Sequence, residues 1–119
     1  MWNWLKKIAG DEDAYYWRRV ADDVWRRSYS VNCVTRVQNV LDKMLRAGCA
    51  ADVVVGTRRT HPHIWIEFED MIIDPSGVTT KSTYNEVGRK TVTPGESSRN
   101  AIRYVARKYG YADPDKKLF

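Results

Sequence analysis

The stretch Asn32–Asp74 decides the fold of this chain, and it reads NCVTRVQNVLDKMLRAGCAADVVVGTRRTHPHIWIEFEDMIID. Its first part has apolar residues at helical spacing, and its later part alternates between apolar and polar residues as a strand does. The stretch therefore predicts a helix followed by strands. Cys33 falls at the head of the helix, His63 on a strand, and Asp74 at the end of the next strand, before Pro75.

Capping and turn residues set the expected limits of these elements. Ser30 or Asn32 can cap the helix, and Gly48 is a fitting stop after it. Asp52–Thr57 is rich in β-formers and leads into a predicted turn at Gly56–Thr60, while Glu69-Asp70 predicts a tight turn between the two later strands. The residues expected to face the core from the helix are apolar: Val34, Val37, Val40, Leu41, Met44 and Leu45.

The flanking segments predict further helices. A short amphipathic N-terminus ends at Gly10 and is expected to pack on the domain, and a helix begins at Asp11-Glu12-Asp13. Two short strands are expected at Val78–Tyr84 and Lys90–Thr93, and residues 112–119 form a frayed tail. Ser97 or Ser98 caps a last helix. Residues expected on the inner faces are Trp17, Val20, Ala21, Val24, Trp25 and Ser28 in the first helix, and Ala101, Ile102, Val105, Ala106 and Tyr109 in the last.

Size and composition indicate one domain, over residues 1–111, of a globular protein. The chain has 119 residues, of which 43% are hydrophobic and 29% charged, and its five Trp residues must line a core, a groove or a partner surface. Cys33 and Cys49 lie at opposite ends of one predicted helix, roughly 20 Å apart, so both are expected to be reduced. No signal peptide or membrane span is recognisable, and a cytoplasmic location is expected.

Cys33, His63 and Asp74 are the residue types of a thiol nucleophile, its base and the group that orients the base. A cysteine in the first turn of a helix is favoured as the thiolate, and its own N–H can donate to an oxyanion. The two strands after the helix can place His63 and Asp74 side by side. Cys49 is interpreted as a structural residue, and His61 is set aside as a base because Pro62 separates it from the strand.

These motifs resemble the core of the transglutaminase-like superfamily, a branch of the papain-like cysteine enzymes. The resemblance rests on the helix-opening Cys33, on His63-Ile64-Trp65-Ile66-Glu67 and on Ile73-Asp74-Pro75, and Leu45-Arg46-Ala47-Gly48 is similar to the family's link to the first strand. It implies an α+β fold with helices on a small antiparallel sheet. It also implies that Cys33 is the nucleophile, His63 the base and Asp74 the orienting residue.

The predicted function is cleavage of a peptide or amide bond through a thioester, as in a thiol protease or amidase, with no cofactor. Transglutaminase-type acyl transfer is one alternative, and a catalytically silent module with a papain-like groove is another. Trp25, Tyr29 and Asn32 are candidates for the second oxyanion donor, Trp65 for a wall of the site, and Glu67 for a polar partner on the same face. The expected partner is a peptide or protein. The net charge of +5 also allows nucleic-acid binding, through Arg58, Arg59, Arg103, Arg107 and Lys108.

Overall fold

Helices pack on one face of a small antiparallel sheet. The computed structural model describes the backbone of residues 2–27, 32–77 and 80–110, and the side chains of residues 14–27, 32, 34–77 and 80–110. Within these residues the strand order is β3-β2-β1-β4 and every pairing is antiparallel. The elements are α1 (Trp2–Arg27), α2 (Cys33–Arg46), β1 (Ala51–Arg58), β2 (His61–Phe68), β3 (Met71–Ile73), a 3-10 turn (Lys81–Thr83), β4 (Tyr84–Val92) and α3 (Ser98–Lys108). The predicted α+β arrangement of helices on an antiparallel sheet is confirmed.

Helix α2 lies at the centre of the core. Asn32 caps it by accepting a hydrogen bond from the Thr35 N–H at 2.8 Å. Gly48, just beyond its C-terminus, has a φ of 87°, which suits glycine. All six residues of the predicted apolar stripe are buried: Val34, Val37, Val40, Leu41, Met44 and Leu45. The prediction for this helix is therefore confirmed at both ends and along its inner face.

The two faces of the sheet carry different clusters. Alternate residues such as Val53, Val55, Ile64 and Ile66 belong to the core under the helices. Their neighbours form a smaller cluster on the other face, here called the second face: Val54, Trp65 and Ile72, with Tyr84 packed against them. Because side chains alternate along a strand, His63 and Asp74 lie on this second face with Trp65.

Helix α1 corrects the prediction for the N-terminus. It runs without a break through Gly10, so Asp11 lies inside one helix rather than at the start of a second one. A single glycine costs a helix interior only about 1 kcal/mol, too little to end it here. Trp25 is 37% exposed, although it was expected to face the core. Among the described helices, α1 included, none has the length and apolar character needed to cross a membrane.

Strand β4 corrects the prediction of two short strands. It is continuous from Tyr84 to Val92, because residues 85–88, which lay between the two predicted strands, stay in the sheet with one bulge. Glu86 pairs with Gly56 and Gly88 with Val55, which leaves Val87 as the extra residue, 54% exposed. The first predicted strand was expected to start at Val78, which lies outside the described residues. Residues 81–83 of that predicted strand form the 3-10 turn instead.

Two strand limits also differ from the prediction. Strand β1 continues to Arg58, so the turn after it is confined to Arg59 and Thr60. Strand β2 begins at His61 and includes Pro62, which pairs with Thr57. Strand β3 pairs with β2 only at Ile66–Phe68, so no described strand lies beside Pro62 on that side. The missing N–H of Pro62 therefore costs no hydrogen bond to β3. The predicted turn at Glu69-Asp70 is confirmed, and both residues have positive φ.

The last helix follows the sequence closely. Ser97 caps α3, and the predicted inner residues Ala101, Ile102, Val105 and Ala106 are buried. On α1, Arg27 pairs with Asp23, four residues before it, at 3.0 Å. The packing of the Trp2–Ile8 side chains, the position of Ser28 and the tail at 112–119 lie outside the described part of the chain.

Glycines allow the sheet to pack tightly at two places. A Cβ atom at Gly56 would collide with the backbone carbonyl of Asn85 at the bulge. A Cβ atom at Gly88 would enter the ring of Tyr109, which covers that residue from the end of α3. Backbone atoms cannot move aside as a flexible side chain can. An added Cβ atom is therefore more destabilising at Gly56 than at Gly88.

We expect Gly56→Ala to lower the free energy of unfolding by about 3 kcal/mol, because overpacking against backbone forces the β1–β4 pairing apart. Urea unfolding monitored by Trp fluorescence measures the loss. Gly95→Ala is the control for backbone strain: Gly95 has a positive φ of 97°, unlike Gly56, and no atom lies within 4 Å of the added methyl group, so a loss of only about 1 kcal/mol is expected. Equal losses in the two variants would contradict this account of the bulge.

Candidate active site

His63 and Asp74 meet on the second face of the sheet. His63 Nε2 lies 2.8 Å from Asp74 Oδ2, and the two residues are 5% and 0% exposed. The β2–β3 hairpin produces this contact, because His63 lies two residues before Trp65 and Asp74 directly follows β3. The structure therefore brings together two of the three predicted catalytic residues, at hydrogen-bond distance.

The Asp74 carboxylate also accepts hydrogen bonds from other parts of the fold. Arg58 Nη1 donates to Oδ2 at 3.0 Å, and the Tyr84 hydroxyl donates to the same oxygen at 2.7 Å. The Ser76 N–H donates to Oδ1 at 2.9 Å. A fully buried carboxylate is costly unless it is paired and hydrogen-bonded, and these donors meet that requirement.

This environment fixes the role of each His63 ring nitrogen. When the Asp74 carboxylate is ionised it only accepts hydrogen bonds, and Nε2 is then the nitrogen that donates to it. In neutral imidazole the other nitrogen is then the acceptor. Nδ1 is therefore the nitrogen of His63 that can take a proton from another group.

Aromatic rings surround the pair. The Trp65 ring stacks beside His63 with centroids 6.0 Å apart, and Tyr84 packs edge-on against Trp65 at 4.9 Å. Trp65 Nε1 donates to Glu67 Oε2 at 2.9 Å. Trp65 thus packs beside His63, and Glu67 is its hydrogen-bond partner on the same face.

An ion-pair network extends from Glu67 along the second face. Arg89 contacts Asp52 at 2.8 Å and Glu67 at 3.0 Å, and it also pairs with Glu86. The hydrogen bond from Arg89 lowers the pKa of Glu86 below its ordinary value. The same carboxylates, Glu86 first, raise the pKa of Arg89.

The first turn of α2 approaches the site through Arg36. Arg36 is 6% exposed; its Nε donates to the Pro75 carbonyl at 3.0 Å and its Nη2 to Ser76 Oγ at 3.1 Å. Pro75 and Ser76 directly follow Asp74. Cys33 begins this helix, one turn before Arg36, and its side chain lies outside the described part of the structure.

The three candidates for a second oxyanion donor differ in position. The Asn32 side chain accepts from Thr35 as the helix cap. Trp25 lies under the Arg36 guanidinium, 4.9 Å from ring centroid to Cζ, so it borders the same turn of α2. Tyr29 lies outside the described residues.

Other polar residues considered from the sequence take different positions. His61 is exposed at the start of β2, and Cys49 is a partly buried cysteine that forms no disulfide among the described residues and packs against the core. Arg58 belongs to the Asp74 cluster and also donates to the carbonyls of Ser76 and Gly77. Among the described side chains, no three of the types His, Cys, Asp and Glu are grouped as metal ligands.

Sequence reasoning missed Arg36, Arg58 and Tyr84 as parts of this site. A signal for Arg36 was present in the sequence. It stands four residues before the buried Val40 and eight before the buried Met44, which places it on the inner face of the helix. Arg58 and Tyr84 are paired across β1 and β4. That pairing joins distant segments, and no local pattern indicates it.

Comparison with known proteins adds no assignment. No protein-family model, curated protein or solved structure matches this chain. The geometry described above is therefore the basis of the functional proposal.

We expect Asp74→Asn to destabilise the fold by about 4 kcal/mol, because it removes the negative charge that faces the partly buried Arg58 and leaves that cation unpaired. Tyr84→Phe removes one hydrogen bond to the same carboxylate, for about 1.5 kcal/mol. Urea unfolding at neutral pH compares the two variants. A loss for Asp74→Asn no larger than that for Tyr84→Phe would contradict the central role of the carboxylate.

We expect Glu86→Gln to lower stability at pH 7 by less than ~1 kcal/mol, since the ion pair is partly exposed. The folded-state pKa of Glu86 is lowered, so its contribution is present above the unfolded pKa of about 4.3 and is lost as the pH falls through the folded value. Wild type and variant should therefore become equally stable near pH 2, as measured by urea unfolding across pH. A difference that persists there would exclude the Arg89 pair as its cause.

Proposed function

We propose that this protein is a cysteine-dependent acyl-transfer enzyme with Cys33 as nucleophile, His63 as general base and Asp74 as the orienting carboxylate. The observation that carries the proposal is the buried contact of 2.8 Å between His63 Nε2 and Asp74 Oδ2. A carboxylate that holds the far nitrogen of an imidazole is the arrangement that activates a nucleophile. The sequence resemblance to the transglutaminase-like superfamily supports the same assignment.

The hydrogen bonds to Asp74 support a base of defined tautomer. With Nε2 held by the carboxylate, Nδ1 is the nitrogen that receives the thiol proton, and Asp74 stabilises the imidazolium that results. Arg58 and Tyr84 keep the carboxylate in place. Neither residue needs to touch the substrate to fulfil this role.

The position of Cys33 at the first residue of α2 supports its role as nucleophile. The N–H groups in the first turn have no acceptor within the helix, and together with the helix dipole they favour a thiolate. Arg36 fixes this turn to Pro75 and Ser76, which follow Asp74. The helix start and the His63–Asp74 pair are thus attached to the same turn.

The proposed reaction begins when the Cys33 sulfur attacks the carbonyl carbon of an amide. The Cys33 N–H donates to the oxyanion of the tetrahedral intermediate. The carbon–nitrogen bond breaks, His63 protonates the leaving amine, and a thioester remains on Cys33. A water molecule, deprotonated by His63, then attacks the thioester and releases the carboxylic acid and the thiol.

Hydrolysis, as by a thiol protease or amidase, is the favoured outcome of this chemistry. The alternative is transfer of the acyl group to an amine, as in transglutaminases, since the thioester is common to both reactions. The proposed papain-like core accommodates either one. The substrate class is a peptide or another amide.

We expect iodoacetamide to alkylate Cys33 about tenfold faster than Cys49 at pH 6, because a thiolate at a helix start reacts while an ordinary thiol stays protonated. Mass spectrometry of the digested protein quantifies both sites in one sample, so Cys49 is an internal control. His63→Gln should remove the advantage of Cys33, and circular dichroism verifies that this variant folds.

The same protein treated with p-nitrophenyl acetate should form an acetyl adduct on Cys33 and none in Cys33→Ala. Decay of the adduct in water indicates a hydrolase, and faster decay with an added primary amine that becomes acetylated indicates a transferase. Equal alkylation of Cys33 and Cys49, together with no adduct, would overturn the proposal and leave the silent binding module.

A further inference from the structure

Helix α3 carries positive charge that no acidic residue on the helix offsets. Its sequence, SRNAIRYVARK, has four basic residues and no acidic ones. Helix α1, by contrast, interleaves its arginines with aspartates. Because the chain as a whole carries +5, most of its excess charge is concentrated on one short helix.

The arrangement of these arginines is unfavourable for the helix itself. Arg99, Arg103 and Arg107 follow one another at intervals of four residues, so they form one stripe of like charge, which costs a helix stability. The helix dipole favours basic residues in the last turn, such as Arg107 and Lys108, but it disfavours Arg99 in the first. Helix stability alone therefore does not explain the stripe.

The stripe borders a shallow groove on the outer face of α3. The groove has a volume of ≈ 510 Å³ and is lined by Asn100, Arg103, Tyr104, Arg107 and Lys108. All of these side chains can donate hydrogen bonds, and three of them are cationic. The lining is thus complementary to a ligand that carries several negative charges.

Tyr104 adds an aromatic ring to this groove. It is 53% exposed, and Lys90 and Lys108 lie 5.6 and 5.7 Å from its centroid. An exposed ring between cations is the combination that binds single-stranded nucleic acid, with bases stacked on the ring and phosphates on the cations. An acidic protein surface would use the cations but would have no need of the ring.

We propose that the outer face of α3 binds single-stranded nucleic acid through Arg103, Arg107, Lys108 and Tyr104. Arginine presents its N–H groups as a planar fork that suits phosphate oxygens. This surface contains none of the residues assigned to the acyl-transfer site. The binding and the thiol chemistry therefore succeed or fail independently.

Fluorescence anisotropy with a short labelled oligothymidylate tests the proposal on the full chain. Each cation that contacts a phosphate of a single strand contributes about −0.7 to the slope of log K against log salt. The expected slope is about −2 for the wild type, and Arg107→Ala or Lys108→Ala should each make it shallower by about 0.7. Tyr104→Ala should weaken binding about tenfold with the slope unchanged, and Tyr104→Phe should retain the affinity.

Arg26→Ala is the matched control, because it removes one positive charge from an exposed position of α1, four residues after Asp22. It should leave both the slope and the affinity close to those of the wild type. Equal effects of Arg26→Ala and Arg107→Ala would overturn the proposal in favour of a response to net charge. A binding constant that does not change with salt concentration would overturn the proposal as well. Polyglutamate that binds as tightly as the oligonucleotide would overturn it in favour of an acidic protein partner.

Discussion

The Asp74 carboxylate is the group on which the candidate site depends. It is fully buried, and it accepts hydrogen bonds from Arg58 of β1, His63 of β2 and Tyr84 of β4, while its own residue follows β3. One oxygen thereby connects all the strands of the described sheet at one end. Burial of an ion costs several kcal/mol unless its partners are well placed, so the site and the pairing of the strands stabilise each other.

Arg36 connects this end of the sheet to the helix layer. It is a buried cation on a helix whose neighbouring inward residues are all apolar, and its donors are directed at the turn after Asp74. A turn that is fixed on one side by the carboxylate and on the other by a guanidinium has little freedom to move. The start of α2 is held at the same turn, which is what the proposed role of Cys33 as a nucleophile requires.

Local patterns predicted best the elements whose geometry is set by short-range signals. The stripe of α2, the alternation from His63 to Phe68 and the turn at Glu69-Asp70 are all short-range signals, and each is confirmed. The contact of His63 with Asp74 followed from the hairpin alone. The bulge at Val87 lay between the two predicted strands and was not foreseen, because its geometry depends on pairing with β1. Arg58 and Tyr84 were missed for the same reason, since each is part of the site only through that pairing.

The place of β4 in the sheet also affects how the protein can be made. β4 lies beside β1 but comes after β2 and β3 in the chain, so a nascent chain exposes the free edge of β1 until the ribosome has released residues up to Val92. An unpaired edge invites association with other chains. Tyr84 arrives with that last strand, and the completed carboxylate cluster is consequently a late product of synthesis. A fragment that ends after β3 would contain the histidine and the aspartate but would lack the strand that encloses them.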